Sequence, residues 1–449
     1  MDTIAFLTLF LGLALGPQEI KLSASDSVKR IELRLDGNVA ATMTAPPWVA
    51  RVNLGKALTP HRLTAVAFDA KGEQLAAVDQ KINVPRATTE ARIVVQHDRA
   101  GVPRKARVVW TSVASSTARS LSVDLDGTPL QVAKDFTVTL PKLSDTPHVL
   151  RAKVVTSSGD YGEATTLVGT SLAAESESQL TAVAVEMLKP QPKRDTASLL
   201  RAGGKPLKVI AIDKVSAEVI FVRHPSEKEA AMRLDILSRV NRRSSSGGDM
   251  NVAMMTGVED RSDVHLAPDD DIRFLWPTVS EGTGAMKAAL FPSSRSVDTG
   301  DHGLRWWLSH ISAPDAPNHR YADAVAVAGL QALGSRRARA VVLVIGEDYR
   351  DASALAPPAA RAYLDQIGVP LLVWCIADAT KMPAAAKAWG EIEDVSTMEK
   401  LRDATRRLNA LLARQQIVWA EGDFLPQEIA LGPSAGDAIR LLTKAVPPR

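Results

Sequence analysis

The feature that most constrains this chain is a repetition near its start. Leu35-Asp36-Gly37 returns as Leu125-Asp126-Gly127, and His61-Arg62-Leu63-Thr64-Ala65-Val66 returns as His148-Val149-Leu150-Arg151-Ala152-Lys153, about 90 residues later. Gly72-Glu73 has its counterpart in Gly159-Asp160. A repeat of that length is one domain long. Within it, short runs alternate: Ile31, Leu33 and Leu35 against Arg30, Glu32 and Arg34, and Leu63, Ala65 and Ala67 beside Arg62 and Thr64. A period of two places apolar side chains on one face of a strand. Asp36-Gly37-Asn38 and Asp69-Ala70-Lys71-Gly72 separate the runs, and glycine supplies the positive φ that tight hairpins need. Many short strands at this spacing predict two tandem β-sandwiches, at 17–86 and 87–170.

From about residue 205 the pattern changes. Ala217 to Val222 reads as a buried strand, and Ser226 with Glu229 as the cap of a following helix. Ile272, Phe274 and Trp276 mark another strand, Tyr321 to Leu333 an Ala-rich helix, and Val341 to Ile345 a buried strand. Pro358 to Gly368 reads as a helix with a glycine stop, Val369 to Ala377 as a strand, and Ser396 with Glu399 as the opening of a long helix. Buried strands joined by helices predict an α/β Rossmann-like layer over 205–449, with a largely parallel sheet. Residues 171–204 read as a connector holding one strand, Leu180 to Met187, and a basic, proline-containing loop from Lys189 to Arg194.

The apolar run Ile4 to Leu15, followed by Gly16-Pro17, has the length of a signal-peptide core and is too short to span a membrane. We read residues 1–16 as a leader, and the protein as extracytoplasmic: periplasmic, cell-surface or secreted. The alternative is a buried first strand or helix. Lys and Arg number 54 against 51 Asp and Glu, a net charge of +3 without a long basic run, so no nucleic-acid partner is expected. A single cysteine, Cys375, excludes an internal disulfide framework and a cysteine-based zinc finger. It lies in an apolar strand and reads as a core thiol.

The first half resembles bacterial immunoglobulin-like domains. The resemblance rests on Val28 to Asn38, Ala45-Pro46-Pro47-Trp48 and His61 to Gly72; the second copy lacks the Pro-Pro-Trp segment. It implies modules that space or bind. The second half resembles a divergent von Willebrand factor type A domain of the acidobacterial kind. Leu200 to Val209 carries that resemblance at the entry to the sheet, and Ala340 to Asp348 with Gly368-Val369-Pro370 carries it at the centre.

That family's metal site takes Asp-x-Ser-x-Ser after the first strand, a Thr on a second loop and an Asp after the central strand, a set of oxygens suited to Mg²⁺. Here the first loop reads Arg223-His224-Pro225-Ser226-Glu227-Lys228, the second Asn318-His319-Arg320-Tyr321, and the central strand ends Ile345-Gly346-Glu347-Asp348. Nitrogen and positive charge stand where oxygen belongs, so the resemblance implies a degenerate metal site and no cofactor. His224, Ser226, His319, Glu347 and Asp348 are then the expected rim for a protein partner. A replaced site, with His224, His319 and Asp348 on a borderline metal such as Zn²⁺, is the sharper alternative.

Other chemistry is excluded more directly. Gly432-Pro433-Ser434-Ala435-Gly436 matches a nucleophile elbow, but no His follows it as that triad's order requires. Gly282-Thr283-Gly284 lacks the third Gly and the Lys of a phosphate loop. The chain therefore reads as a non-enzymatic adhesion-type protein that binds a protein partner. A cell-envelope scaffold or assembly factor is the alternative, and a metal-dependent hydrolase ranks last.

Overall fold

The computed structural model describes residues 4–10, 12–85, 89–98, 102–112, 117–144, 148–157, 161–169, 180–189, 199–214, 216–223, 264–267, 270–280, 289–291, 293–294, 297–298, 304, 307–308, 319–377, 382 and 384–443. Both repeats are β-sandwiches. In the first, Asn38–Met43, Arg30–Leu35, His61–Phe68 and Gln74–Ile82 form one sheet in that spatial order, and Ile4–Phe6, Pro17–Ala24 and Val49–Asn53 form the other. Ile20, Ile31, Leu33, Leu63, Ala65 and Ile82 fill the space between, all fully buried. The second has Thr128–Leu130, Ala118–Leu125, His148–Thr156 and Tyr161–Val168 in one sheet, with Thr137–Thr139, Pro103–Ser112 and Thr89–His97 in the other. The Asp-Gly turns match: φ is 50° and 84° at Asp36-Gly37, and 51° and 82° at Asp126-Gly127. Two consecutive positive φ values give the turn whose twist agrees with that of the strands it joins.

The apolar N-terminal run, expected as a leader, is built into the first sandwich here. Ile4–Phe6 pairs antiparallel with Pro17–Ala24, and Ile4 is buried in that core. The Asn83 side chain accepts from the Ala14 N–H at 2.7 Å and donates to the Ala14 carbonyl at 2.8 Å. Leu7 and Leu9 remain exposed.

The segment expected as a connector and the region over 205–449 share a sheet. Leu180–Met187 is an interior strand of a sheet ordered Val209–Asp213, Gln415–Glu421, Leu180–Met187, Ile439–Leu441. A second small sheet of Lys205–Pro206, Leu200–Ala202 and Ile429–Leu431 accompanies it. Val183, Val185, Leu199, Leu200, Val418 and Ala420 form a common core. The chain thus enters a third β module, leaves it to build the α/β layer, and returns at Gln415. The reason is burial: Val183 lies directly across from Val418 in register, and both are buried in this core with Val185 and Ala420.

The α/β sheet runs Val297–Asp298, Asp271–Leu275, Ala217–Arg223, Ala338–Ile345, Leu371–Cys375, Glu393–Asp394; all neighbours are parallel except the first pair. Helices α1 (Tyr321–Gly334) and α2 (Pro357–Ile367) cover one face and α3 (Met398–Ala413) the other. Every residue of the two central strands is buried, which is why Val219 to Val222 and Ala340 to Ile345 read as apolar runs. Gly329 lets α1 approach α2, since a Cβ there would lie 2.6 Å from Leu364 Cδ1. The cap of α3 is Thr397, which accepts from the Lys400 N–H, rather than Ser396. The side chain of Gln415 pairs with both backbone groups of Arg339, at 2.8 and 3.0 Å, and joins the α/β layer to the third module.

The modules meet through polar contacts and one buried leucine. Asp423 of the third module pairs with Arg62 and Lys81 of the first sandwich, and Asp213 with Arg151 of the second. Tyr363 of α2 donates to the Asn83 carbonyl at 2.9 Å, and Leu58 is buried among the residues of the α1–α2 core.

Candidate functional site

In a parallel sheet, side chains that meet a ligand collect where the strands end, at the carboxyl edge. Arg223, Leu275, Ile345 and Cys375 mark that edge here. At this edge the segment after Ile345 folds back against the N-terminus of α1.

The contact is reciprocal. Asp351 accepts from the backbone N–H groups of Tyr321 and Ala322 at 3.0 and 3.3 Å, and the Ser353 hydroxyl accepts from that of Asp323 at 3.1 Å. In return, Asp323 accepts from the N–H groups of Ala354 and Leu355, both at 3.0 Å. Arg320 pairs with Asp323 at 2.5 Å. Asp351 also accepts from the Ser353 hydroxyl at 2.5 Å and from the Tyr349 hydroxyl at 3.3 Å. The first N–H groups of a helix have no partner within it and carry partial positive charge, so they favour a carboxylate. In this protein the carboxylate is supplied from within the chain. The anion-binding end of α1 is therefore already occupied by Asp351.

The aromatic groups beneath are equally fixed. Trp389 donates from Nε1 to the Tyr349 hydroxyl at 2.7 Å, and the Tyr321 and Tyr349 rings lie 4.9 Å apart. Burial, reinforced by the adjacent Asp351 carboxylate, pushes the Tyr349 phenol above its usual range, so it stays a neutral donor.

The residues expected from the sequence fare unequally. His224 and Ser226, with Lys228, lie outside the described residues. His319 bridges to Thr278 through its backbone, and its carbonyl accepts from the Ala352 N–H at 2.8 Å; its ring stands edge-on to Tyr321. Glu347 and Asp348 sit on an exposed turn directly after the central strand. Among the described residues no group of three or more His, Cys, Asp or Glu side chains is arranged to hold a metal ion. Arg223, beside His224, is wholly buried; it donates to the Leu308 carbonyl and its guanidinium lies 5.7 Å over the Phe274 ring. A buried positive charge at this strand end opposes a cation placed next to it.

Sequence reasoning missed Asp351, Asp323, Ser353, Tyr349 and Trp389. One local signal was available: Asp351-Ala352-Ser353 allows the aspartate to accept from the N–H two residues on, at 3.0 Å here, which is a turn rather than a helix continuation.

No family model matches this chain, and no curated protein does. Among solved structures it is similar to the fibronectin(III)-like modules of Clostridium thermocellum CbhA, at 20% identity over 18% of this chain and 93% of that one, with a TM-score of 0.17. It is similar to the central fibronectin-III array of RIM-binding protein, at 14% identity over 46% and 80%, with a TM-score of 0.18. It also spans about a quarter of the Parabacteroides merdae β-glucuronidase, at 10% identity over 37% of this chain and 24% of that one, with a TM-score of 0.20.

Proposed function

We propose that the α/β layer is a divergent von Willebrand factor A-type domain that binds a protein partner without a metal ion, in an extracytoplasmic adhesion-type protein. One observation carries this reading. The reciprocal Asp351–α1 and Asp323–354/355 contacts tie the segment after Ile345 to the start of α1, next to the turn that exposes Glu347 and Asp348. A rigid loop tip bearing two carboxylates suits a basic patch on a partner and needs no bridging ion. The immunoglobulin-like sandwiches would space this domain from the cell surface.

A photo-reactive residue replacing the exposed Arg350 tests the reading in extracts of the cell envelope. A discrete adduct is expected, kept in EDTA and lost in the Glu347→Lys/Asp348→Lys double variant. No adduct, or one that requires added Mg²⁺, overturns it. N-terminal sequencing of the native protein from an envelope fraction tests the location and shows whether residues before Pro17 are retained.

A further inference from the structure

The repeated Asp-Gly turn and the repeated histidine meet in both sandwiches. In the first, Asp36 Oδ1 accepts from the Arg62 N–H at 2.9 Å and Oδ2 faces His61 Nδ1 at 2.7 Å. In the second, Asp126 Oδ1 accepts from the Val149 N–H at 2.8 Å and Oδ2 faces His148 Nδ1 at 2.6 Å. The two copies differ at the other ring nitrogen. His61 Nε2 faces the Leu54 carbonyl at 3.1 Å, an acceptor, so it must donate. His148 Nε2 faces Ser144, with the hydroxyl at 2.8 Å and the backbone N–H at 3.3 Å. A backbone N–H can only donate, so this network assigns His148 Nε2 as the acceptor and Nδ1 as the protonated nitrogen, held by Asp126.

A hydroxyl, an imidazole and a carboxylate thus stand in line, with both links at hydrogen-bonding distance. That is the geometric requirement for a base-activated serine. Ser144 is exposed, so an electrophile reaches it from solvent. We propose that Ser144 is an activated nucleophile that takes acyl groups from activated carboxylic esters, with His148 as its base and Asp126 as the residue that positions the ring. As Ser144 Oγ bonds to the ester carbonyl carbon, its proton passes to His148 Nε2. Collapse of the adduct breaks the bond to the leaving oxygen, which takes that proton and departs as the alcohol or phenol. Water then attacks the acyl-serine in the same way, releasing the carboxylic acid and restoring the hydroxyl. The site lies in the second sandwich and does not depend on the partner-binding reading of the α/β layer.

A fluorophosphonate probe on the full chain, read by intact mass and peptide mapping, tests this. One adduct on Ser144 is expected, absent in Ser144→Ala, about 100-fold slower in His148→Ala, slowed in Asp126→Asn and unchanged in His61→Ala. Ser144→Cys adds a second readout, since the chain's own cysteine is buried. Its thiol should react with iodoacetamide at neutral pH, and more slowly once His148 is also replaced by Ala. Labelling that is absent, falls on another residue, or persists at full rate in a His148→Ala variant with wild-type circular dichroism overturns the proposal.

Discussion

The two sandwiches use one turn, one aspartate and one histidine to tie the end of a strand to the start of another, yet each histidine ends in a different environment. His61 is buried between a carboxylate and a carbonyl; His148 faces a carboxylate and an exposed hydroxyl. Strand pairing sets the Asp–His link, because the strand that starts at the histidine lies antiparallel to the strand that ends at the turn. What the second nitrogen meets depends on a separate loop, Leu54 in one copy and Ser144 in the other. The modules also dock differently: Arg62, next to its histidine, reaches Asp423, whereas Arg151, three residues past its own, reaches Asp213. Repetition of a motif therefore preserves the staple and leaves its chemistry and docking free to diverge.

The deepest shared position should break both copies alike. Leu63 and Leu150 occupy the same place in the repeat and are fully buried, so Leu63→Ala and Leu150→Ala should each cost about 2–5 kcal/mol. Urea unfolding followed by tryptophan fluorescence measures it; a large loss in one and almost none in the other would mean that only one sandwich has a cooperative core.

The staples should separate the copies. His61→Ala leaves a buried carbonyl and a carboxylate without their partner, and should cost about 1–3 kcal/mol. His148→Ala exposes its former partners to water and should cost about 0.5–1.5 kcal/mol. Equal losses in paired thermal melts would refute the difference in environment.

Acid sharpens the first copy. Burial alone would raise the Asp36 carboxyl, but hydrogen bonds from His61 and the Arg62 N–H outweigh it and hold the group below its ordinary value. A depressed native value means that the native state favours the charged form. This contribution is full above the unfolded value of about 3.9, and it is lost as pH falls through the native value. Wild type and Asp36→Asn should therefore differ at pH 6 and converge in strong acid. A gap that widens on acidification would reverse the sign and exclude Asp36 as its source.

The smallest effect belongs to docking. Asp423→Asn removes the pairs to Arg62 and Lys81, and Asp213→Asn the pair to Arg151; these partly exposed pairs are worth about 0–1 kcal/mol each and are weakened by salt. Limited proteolysis at low and high salt reads the loosening. A loss above about 2 kcal/mol in either would show that the modules fold as one unit held by that pair.

At the candidate site, Glu347 and Asp348 were legible because they directly follow an unmistakable buried strand. Asp351 was not, since its role exists only once the N-terminus of α1, thirty residues earlier, lies against it. His319 was legible as a loop residue, but it meets Thr278 and Ala352 through its backbone rather than its ring. The strand Leu180–Met187 was visible in its alternation, whereas its neighbours at Gln415–Glu421 and Ile439–Leu441 were not.

By itself, the sequence determined what short-range physics controls: the repeat and its Asp-Gly turns, the alternation that makes sandwich strands, the buried runs of the parallel sheet and the helices between them. Tertiary structure alone decided what depends on residues distant in the chain. It split the third β module around the α/β layer, turned Asp351 onto a helix end, and brought each turn aspartate to the histidine of a later strand. Periodicity fixes which face of an element is apolar. Which other element covers that face is settled by the joint burial of surfaces and the pairing of polar groups across the whole fold.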